Sequence, residues 1–438
     1  MNIGIFTETY YPQINGVVTS IRALEKELNN QGHKVYIFAT THPDAKPRPR
    51  VFRLPSIPFW SMPSQRVALS FPLKALKIIK DLNLDIIHTQ TEFPMGFLGK
   101  TAATFYNIPI VHTYHTMYED YVHYILRGHV ITPKMAKDFS KLFCNSAEAV
   151  IAPSQKVYNV LRDYGVKRDI QIIPTGIELN PFKKSNFEIE DSNLLRSCYN
   201  LKPDTPLILS LGRVAKEKSI DVVIKSMPNL LKKLPEAKLL IVGDGPARAN
   251  LEELVSDLNI NDSVIFAGQH PWVDVPKFYN SANVFVTASV TETQGLTYAE
   301  AMAAQIPVVA KKDDNIVGLL KDNVNGRIFT DDMELSDILY HVLTDKKASL
   351  RYTIQAYIDV KSFSSEQFGE SVIDLYAKVI QSHKLKKPNR IIPKFKKIKT
   401  PLIKLPNIKS IPIQVASNVK KIKSISIKRT FSSKKHEE

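Results

Sequence analysis

Glu292-Thr293-Gln294-Gly295-Leu296-Thr297-Tyr298-Ala299-Glu300 lies between an apolar run, Val284-Phe285-Val286-Thr287-Ala288, and an Ala-rich segment that ends at Gln305-Ile306-Pro307. The run has the unbroken hydrophobicity of a strand buried on both faces, and the pattern after it predicts a helix over 297–305. Glu292 then sits on the loop leaving a strand, with Glu300 roughly one turn into the helix. Gly295, next to Leu296, lets backbone approach a ligand at the helix N-terminus, where free N–H groups and the helix dipole favour phosphate. One carboxylate can accept hydrogen bonds from one sugar and the second from another, with a diphosphate between them. Those residues in that order describe a nucleotide-sugar site, although two glutamates at this spacing also occur on solvated helix faces.

Working outward, the same strand–loop–helix unit recurs along the chain. Asn2–Thr7, Lys34–Thr40, Asp85–Thr89, Pro109–Thr113 and Ala149–Pro153 read as strands, with helical segments near 72–81, 96–106, 134–147 and 154–163 between them. Val17, Val18, Ile21, Leu24 and Leu28 mark one helical face closed by Gly32. A second series runs through Pro206–Gly212, Lys238–Gly243, Ser263–Gly268, Asn283–Ala288 and Pro307–Lys311. Two successive βαβ series predict an α/β chain with two Rossmann-like, doubly wound domains. The expected boundaries are 1–175, 176–363, a helix at 364–383 and a tail at 384–438.

Further residues fall at the C-terminal ends of expected strands, where such sheets bind ligands. Gly212-Arg213-Val214-Ala215-Lys216-Glu217-Lys218 offers a planar guanidinium and a mobile ammonium that together can neutralise a diphosphate without a metal. Val242-Gly243-Asp244-Gly245-Pro246 is a post-strand turn read chiefly as architecture, with Gly243 or Gly245 the glycine that a donor could touch. In the first half, Gly16 closes the loop Tyr10–Gly16, and no Gly-x-Gly-x-x-Gly follows that strand, against a nicotinamide-type site. His112, Tyr114, His115, Tyr118, Glu119, Asp120, Tyr121, His123 and Tyr124 crowd one stretch too polar and aromatic for core alone. They suit a wall that hydrogen-bonds a sugar and an alcohol.

Glu292–Ala303 together with Gly212–Lys218 resembles the donor motifs of glycosyltransferase family 4, retaining enzymes of the GT-B fold. The resemblance implies two domains facing across a cleft, with residues 364–381 crossing back onto the first domain. It implies that Arg213 and Lys218 stabilise a departing UDP, that Glu300 holds the ribose and Glu292 the donor sugar, and that His115 positions the hexose. Many relatives carry Gly after the lysine, where this chain has Ser219, and two glycines where it has Gly16 alone. The string from His112 to Tyr124, with Thr89-Gln90-Thr91-Glu92-Phe93, is similar to that of bacterial diacylglycerol glucosyltransferases. Along that line the expected donor is UDP-glucose, the acceptor diacylglycerol, and no cofactor or metal is required.

Composition bounds the rest. In 438 residues with 44% hydrophobic content, no run approaches the roughly 20 apolar residues that span a bilayer. The chain opens directly on a strand pattern, and Cys144 and Cys198 have no metal-like spacing, so a cytoplasmic protein with reduced thiols is expected. From Lys384 to Glu438 there are 17 Lys/Arg and 2 Asp/Glu, so nearly all of the +16 net charge sits in the tail. Lysines there alternate with Ile391, Phe395, Ile398 and Leu402, and Pro388, Pro393, Pro401, Pro406 and Pro412 forbid one long helix. Each basic residue near an anionic leaflet contributes roughly 1 kcal/mol, so six would give about 6 kcal/mol of peripheral attraction. Residues 66–80, with Lys74, Lys77 and Lys80, form a weaker membrane candidate, because such a helix more often packs on its own sheet. Glucose versus galactose, diacylglycerol versus glucosyl-diacylglycerol, a soluble acceptor, and a non-enzymatic basic scaffold remain as alternatives at this stage; nucleic acid is not an expected partner.

Overall fold

The computed structural model describes residues 1–385 other than 14, 60–61, 70–72 and 118–131. The expectations for Tyr118, Glu119, Asp120, Tyr121 and His123, and for the tail beyond residue 385, lie outside the described residues. Among those residues, the first sheet is built from β1 (Asn2–Phe6), β2 (Lys34–Thr40), β3 (Val51–Leu54), β6 (Ile86–Thr89), β7 (Ile110–Thr113), β8 (Ala149–Ala152) and β9 (Asp169–Ile172). A hairpin of β4 (Ser56–Phe59) and β5 (Met62–Ala68) stands apart from it. The strand order is β3-β2-β1-β6-β7-β8-β9, all parallel, so the chain reverses direction at β1. The second sheet holds β10 (Leu207–Leu211), β11 (Lys238–Val242), β12 (Val264–Gly268), β13 (Val284–Thr287), β14 (Val308–Lys311) and β15 (Arg327–Phe329), in the order β12-β11-β10-β13-β14-β15.

Parallel strands need crossover helices, and these cover both faces of each sheet. The first sheet is joined by α1 (Gly16–Asn30), α2 (Leu73–Asp81), α3 (Pro94–Tyr106), α4 (Pro133–Cys144) and α5 (Gln155–Asp163). The second has α6 (Ile189–Cys198), α7 (Ile220–Lys233), α8 (Arg248–Asp257), α9 (Val275–Ser281), α10 (Leu296–Ala303), α11 (Leu335–Thr344) and α12 (Lys346–Asp359). In α1, Val18, Ile21, Leu24 and Leu28 are buried as the helical spacing requires, and Asn15 caps its N-terminus through Val18 N. In α2, Ala75 and Ile79 enter the core while Lys74, Lys77 and Lys80 are exposed. Short edge strands β3 and β15 were not legible from periodicity, because three- or four-residue strands carry too few alternations, and the hairpin and α6 were not singled out either.

The last helix, α13 (Ser365–Leu385), returns to the first sheet and runs past residue 381. Phe368, Val372, Leu375, Tyr376 and Val379 pack with Ile3, Ile5, Ile21 and Leu24 in one cluster, opposite the face covered by α2, α3 and α5. Gly369 permits this close approach, since a Cβ there would lie 2.6 Å from Glu27 Cβ. Tyr376 Oη meets His88 Nδ1 at 2.6 Å, with both groups buried, and His88 Nε2 meets Thr113 Oγ1 at 2.7 Å.

Removing one partner from that pair strands a polar atom in the core. Tyr376→Phe is expected to lower unfolding free energy by about 1–3 kcal/mol in urea titration; an unchanged midpoint would contradict the buried His88–Tyr376 bond.

Candidate active site

The C-terminal ends of both sheets meet. Ser154, after β8, donates to Thr293 O at 2.5 Å, and Lys156 of α5 donates to Val290 O at 2.7 Å and to Asp313 Oδ1 at 2.8 Å. Gln294 makes two bonds to one residue: Thr175 N donates to its Oε1 at 2.6 Å, and its Nε2 donates to Thr175 O at 2.9 Å. The loop Val290–Gln294, which carries Glu292, is therefore held by the first domain at three points.

Within the second domain, Gly295 caps α10 at φ +72, and a Cβ there would lie 2.1 Å from the Tyr298 ring. Glycine is thus demanded by backbone and packing, beyond any closeness to a ligand. α10 begins at Leu296 and ends at Ala303, one residue earlier at its start and two earlier at its end than the expected 297–305, with no side chain capping its N-terminus. Glu300 is buried and accepts from Tyr279 Oη at 2.8 Å. Burial pushes its carboxyl up to about 7, against the opposing pull of the Tyr279 hydroxyl.

Lys218 and Glu292, 74 residues apart in sequence, form an ion pair with both side chains about one-fifth exposed. Arg213 pairs instead with Glu217, one turn away on its own loop, and is about half exposed. Each cation thus already has a carboxylate, and an incoming anion has to take it over. Ser219 adopts φ +49, the left-handed conformation in which glycine is easiest, so the serine keeps a glycine-like turn. Gly243, at φ +134, would place a Cβ 1.9 Å from Gly212 O, which makes it the point where two post-strand turns press together. A Cβ at Gly16 would meet nothing within 4 Å.

In the first domain the polar groups cluster after β1, β6 and β7. His115 Nε2 lies 2.6 Å from Gln90 Oε1, and burial, with the neighbouring His112, pushes its pKa down to about 3, so the ring is neutral. His112 is buried between Glu92 Oε1 at 3.2 Å and Thr89. Glu8 accepts from Thr91 Oγ1 and from Met95 N at the start of α3, and burial pushes its carboxyl up to about 7. Tyr114 corrects the expected wall: it is fully buried in the core, 3.1 Å from Ser140 Oγ, because its strand end turns that ring inward. Glu8, Gln90 and Glu92 were not singled out from sequence; the signal was the wholly polar Thr89-Gln90-Thr91-Glu92 directly after a buried strand.

The family model for Glycosyltransferase Family 4 matches residues 14–181, and that for Glycosyl transferases group 1 matches residues 191–359. Over 389 residues the chain is 40% identical to an alpha-monoglucosyldiacylglycerol synthase of Streptococcus pneumoniae, covering 88% of each chain. It is 33% identical over 395 residues to a synthase of the same name from Acholeplasma laidlawii, covering 88% of this chain and 99% of the relative. Anabaena HepE, solved in complex with UDP-glucose, shares the fold at a TM-score of 0.70 and 18% identity, covering 86% of this chain and 100% of that one. The chain belongs to the family-4 glycosyltransferases, sugar-transferring enzymes of the GT-B fold.

Because the folded Glu300 carboxyl titrates near 7 rather than 4.5, ionising it costs the fold free energy that is absent below pH 4.5 and complete above about 7. Glu300→Gln is expected to be more stable than wild type at pH 8, by up to about 3 kcal/mol, with the gain vanishing toward pH 4.5. Urea unfolding at both pH values measures this, and a difference independent of pH would contradict it.

Proposed function

We propose that this chain moves glucose from UDP-glucose to the 3-hydroxyl of 1,2-diacylglycerol at an anionic membrane surface, retaining the α-configuration. The observation that carries this reading is the match, over 88% of each chain, to a relative named for that product. The donor-side residues support it, because two cations, two carboxylates and the α10 N-terminus converge on one sheet edge.

In this reading, Lys218 leaves Glu292 and Arg213 leaves Glu217 to bind the diphosphate, whose developing charge on departure is the largest in the reaction. Glu292, freed of its cation, accepts from a hexose hydroxyl, and Glu300 accepts from the ribose diol. Neutral His115 binds the hexose by hydrogen bonding, without adding charge near the breaking bond. The anomeric C–O bond to phosphate breaks while the acceptor oxygen attacks from the same face. Its proton passes to the departing phosphate oxygen. No cofactor enters the scheme. Gly16 leaves room for the donor phosphates on the first-domain side, Gly243 shapes the turn beside the nucleotide, and Gly295 with Leu296 presents the α10 N–H groups.

Among the described residues no helix is long and apolar enough to cross a membrane. Peripheral attachment through the basic tail, on the cytoplasmic leaflet, fits the acceptor proposed here. The exposed lysines of α2 add positive charge to the first domain.

Labelled UDP-glucose and UDP-galactose offered with vesicles of diacylglycerol or glucosyl-diacylglycerol test the assignment. Glucosyl-diacylglycerol from UDP-glucose and diacylglycerol is the expected product; transfer only from UDP-galactose, or only to the glucosylated lipid, would overturn it. Lys218→Ala is expected to lower turnover by about 100-fold or more through lost transition-state charge stabilisation. Near-normal turnover in a folded variant would remove Lys218 from the donor site.

A further inference from the structure

Gln90 follows β6, which pairs with β1 on one side and β7 on the other in the first sheet, and its side chain is 2% exposed. The carboxamide has two polar ends with different fates. Oε1 lies 2.6 Å from His115 Nε2. A neutral imidazole carries one proton, and this contact puts it on Nε2, leaving the lone pair on Nδ1. The other end, Gln90 Nε2, is shielded from solvent and has no hydrogen-bond partner among the described residues.

A buried amide donor left unmade costs about 1–3 kcal/mol, so such groups are rare and call for a specific explanation. The polar side chains around it are engaged elsewhere. Thr91 and the Met95 amide serve Glu8; His112 bridges Thr89 and Glu92; His88 bridges Thr113 and Tyr376. The unmade donor also belongs to the very carboxamide that fixes the His115 tautomer. Gln90 and His115 together therefore offer one N–H donor and one lone pair. A sugar hydroxyl, which accepts and donates, is the matching ligand chemistry.

We propose that Gln90 is a specificity-determining residue for the transferred hexose: its Nε2 donates to a sugar hydroxyl oxygen, while its Oε1 holds His115 with the lone pair on Nδ1 for a hydroxyl proton. The assignment rests on the hexose role given to His115 above, so both residues are scored in the same experiment.

The full-length protein is assayed with UDP-glucose and diacylglycerol vesicles. Gln90→Leu, which removes both functions, is expected to lower kcat/KM by roughly 10- to 100-fold. Inhibition by UDP alone should stay within about two-fold of wild type, since that ligand lacks the hexose. Gln90→Glu keeps an acceptor for His115 Nε2 but replaces the donor by a charge, and is expected to lose at least the donor contribution. Among UDP-glucose analogues each lacking one hydroxyl, one should cost wild type as much as the Gln90→Leu change costs with UDP-glucose. That analogue should cost Gln90→Leu little more. The 15N shifts of His115 in the wild-type protein should show the proton on Nε2, a readout that does not depend on any variant folding.

Normal kcat/KM in Gln90→Leu with impaired His115→Ala would overturn the Gln90 assignment alone. Normal turnover in His115→Ala would instead bring down the hexose role on which it rests. A proton on His115 Nδ1, or a loss of UDP affinity parallel to the loss of kcat/KM, would also overturn it.

Discussion

Gln294 ties the two domains together by imitating a backbone. Its carboxamide accepts from Thr175 N and donates to Thr175 O, as a neighbouring strand would. Side chain and partner are both buried, so neither bond is easily replaced by water. The same short loop that carries Glu292 is thereby positioned by the first domain as well as by β13 and α10. Ser154 and Lys156 fasten the Thr293 and Val290 carbonyls of that loop, and Lys156 extends the hold to Asp313 after β14. Moving one domain against the other must therefore move Glu292, which links domain arrangement to the donor site directly.

The second constraint is charge. Residues outside the tail are nearly neutral as a set, and at the donor site each cation is already matched: Lys218 with Glu292, Arg213 with Glu217. Pairs of this exposure are worth little to stability, of order 1 kcal/mol or less, so they can be exchanged for contacts with a multiply charged diphosphate. Exchange would release Glu292 as an acceptor at the moment a hexose arrives with its phosphates. In the proposed reading, the neutral His115 and the Gln90 carboxamide supply recognition without charge on the first-domain side; Tyr279 donates to the buried Glu300.

Much of this frame was legible in the residues themselves. Continuous apolar runs such as Val284–Thr287 marked buried parallel strands, and the three- and four-residue spacings of Ile21, Leu24 and Leu28 marked a buried helix face. The return of α13 to the first sheet came only through family resemblance, because an amphipathic pattern does not name its partner surface. The 74-residue separation of Lys218 from Glu292 hid their pairing for the same reason. Gly295 was read as a glycine that lets a ligand approach and Gly243 chiefly as part of a turn; Tyr298 and the Gly212 carbonyl, which make glycine necessary at each, are tertiary neighbours that spacing does not reveal. Gln90 and Glu92 entered only as part of the Thr89–Phe93 resemblance; their burial beside histidines is a tertiary fact.

The central claim is that the donor diphosphate takes Lys218 from Glu292 and so frees that carboxylate for the hexose. A crystal structure with intact UDP-glucose tests it most directly. The account predicts Lys218 Nζ within hydrogen-bond distance of a phosphate oxygen and Glu292 on a hexose hydroxyl, with the Gln294–Thr175 bonds still made. A Lys218–Glu292 pair that persists beside the bound nucleotide sugar would contradict it.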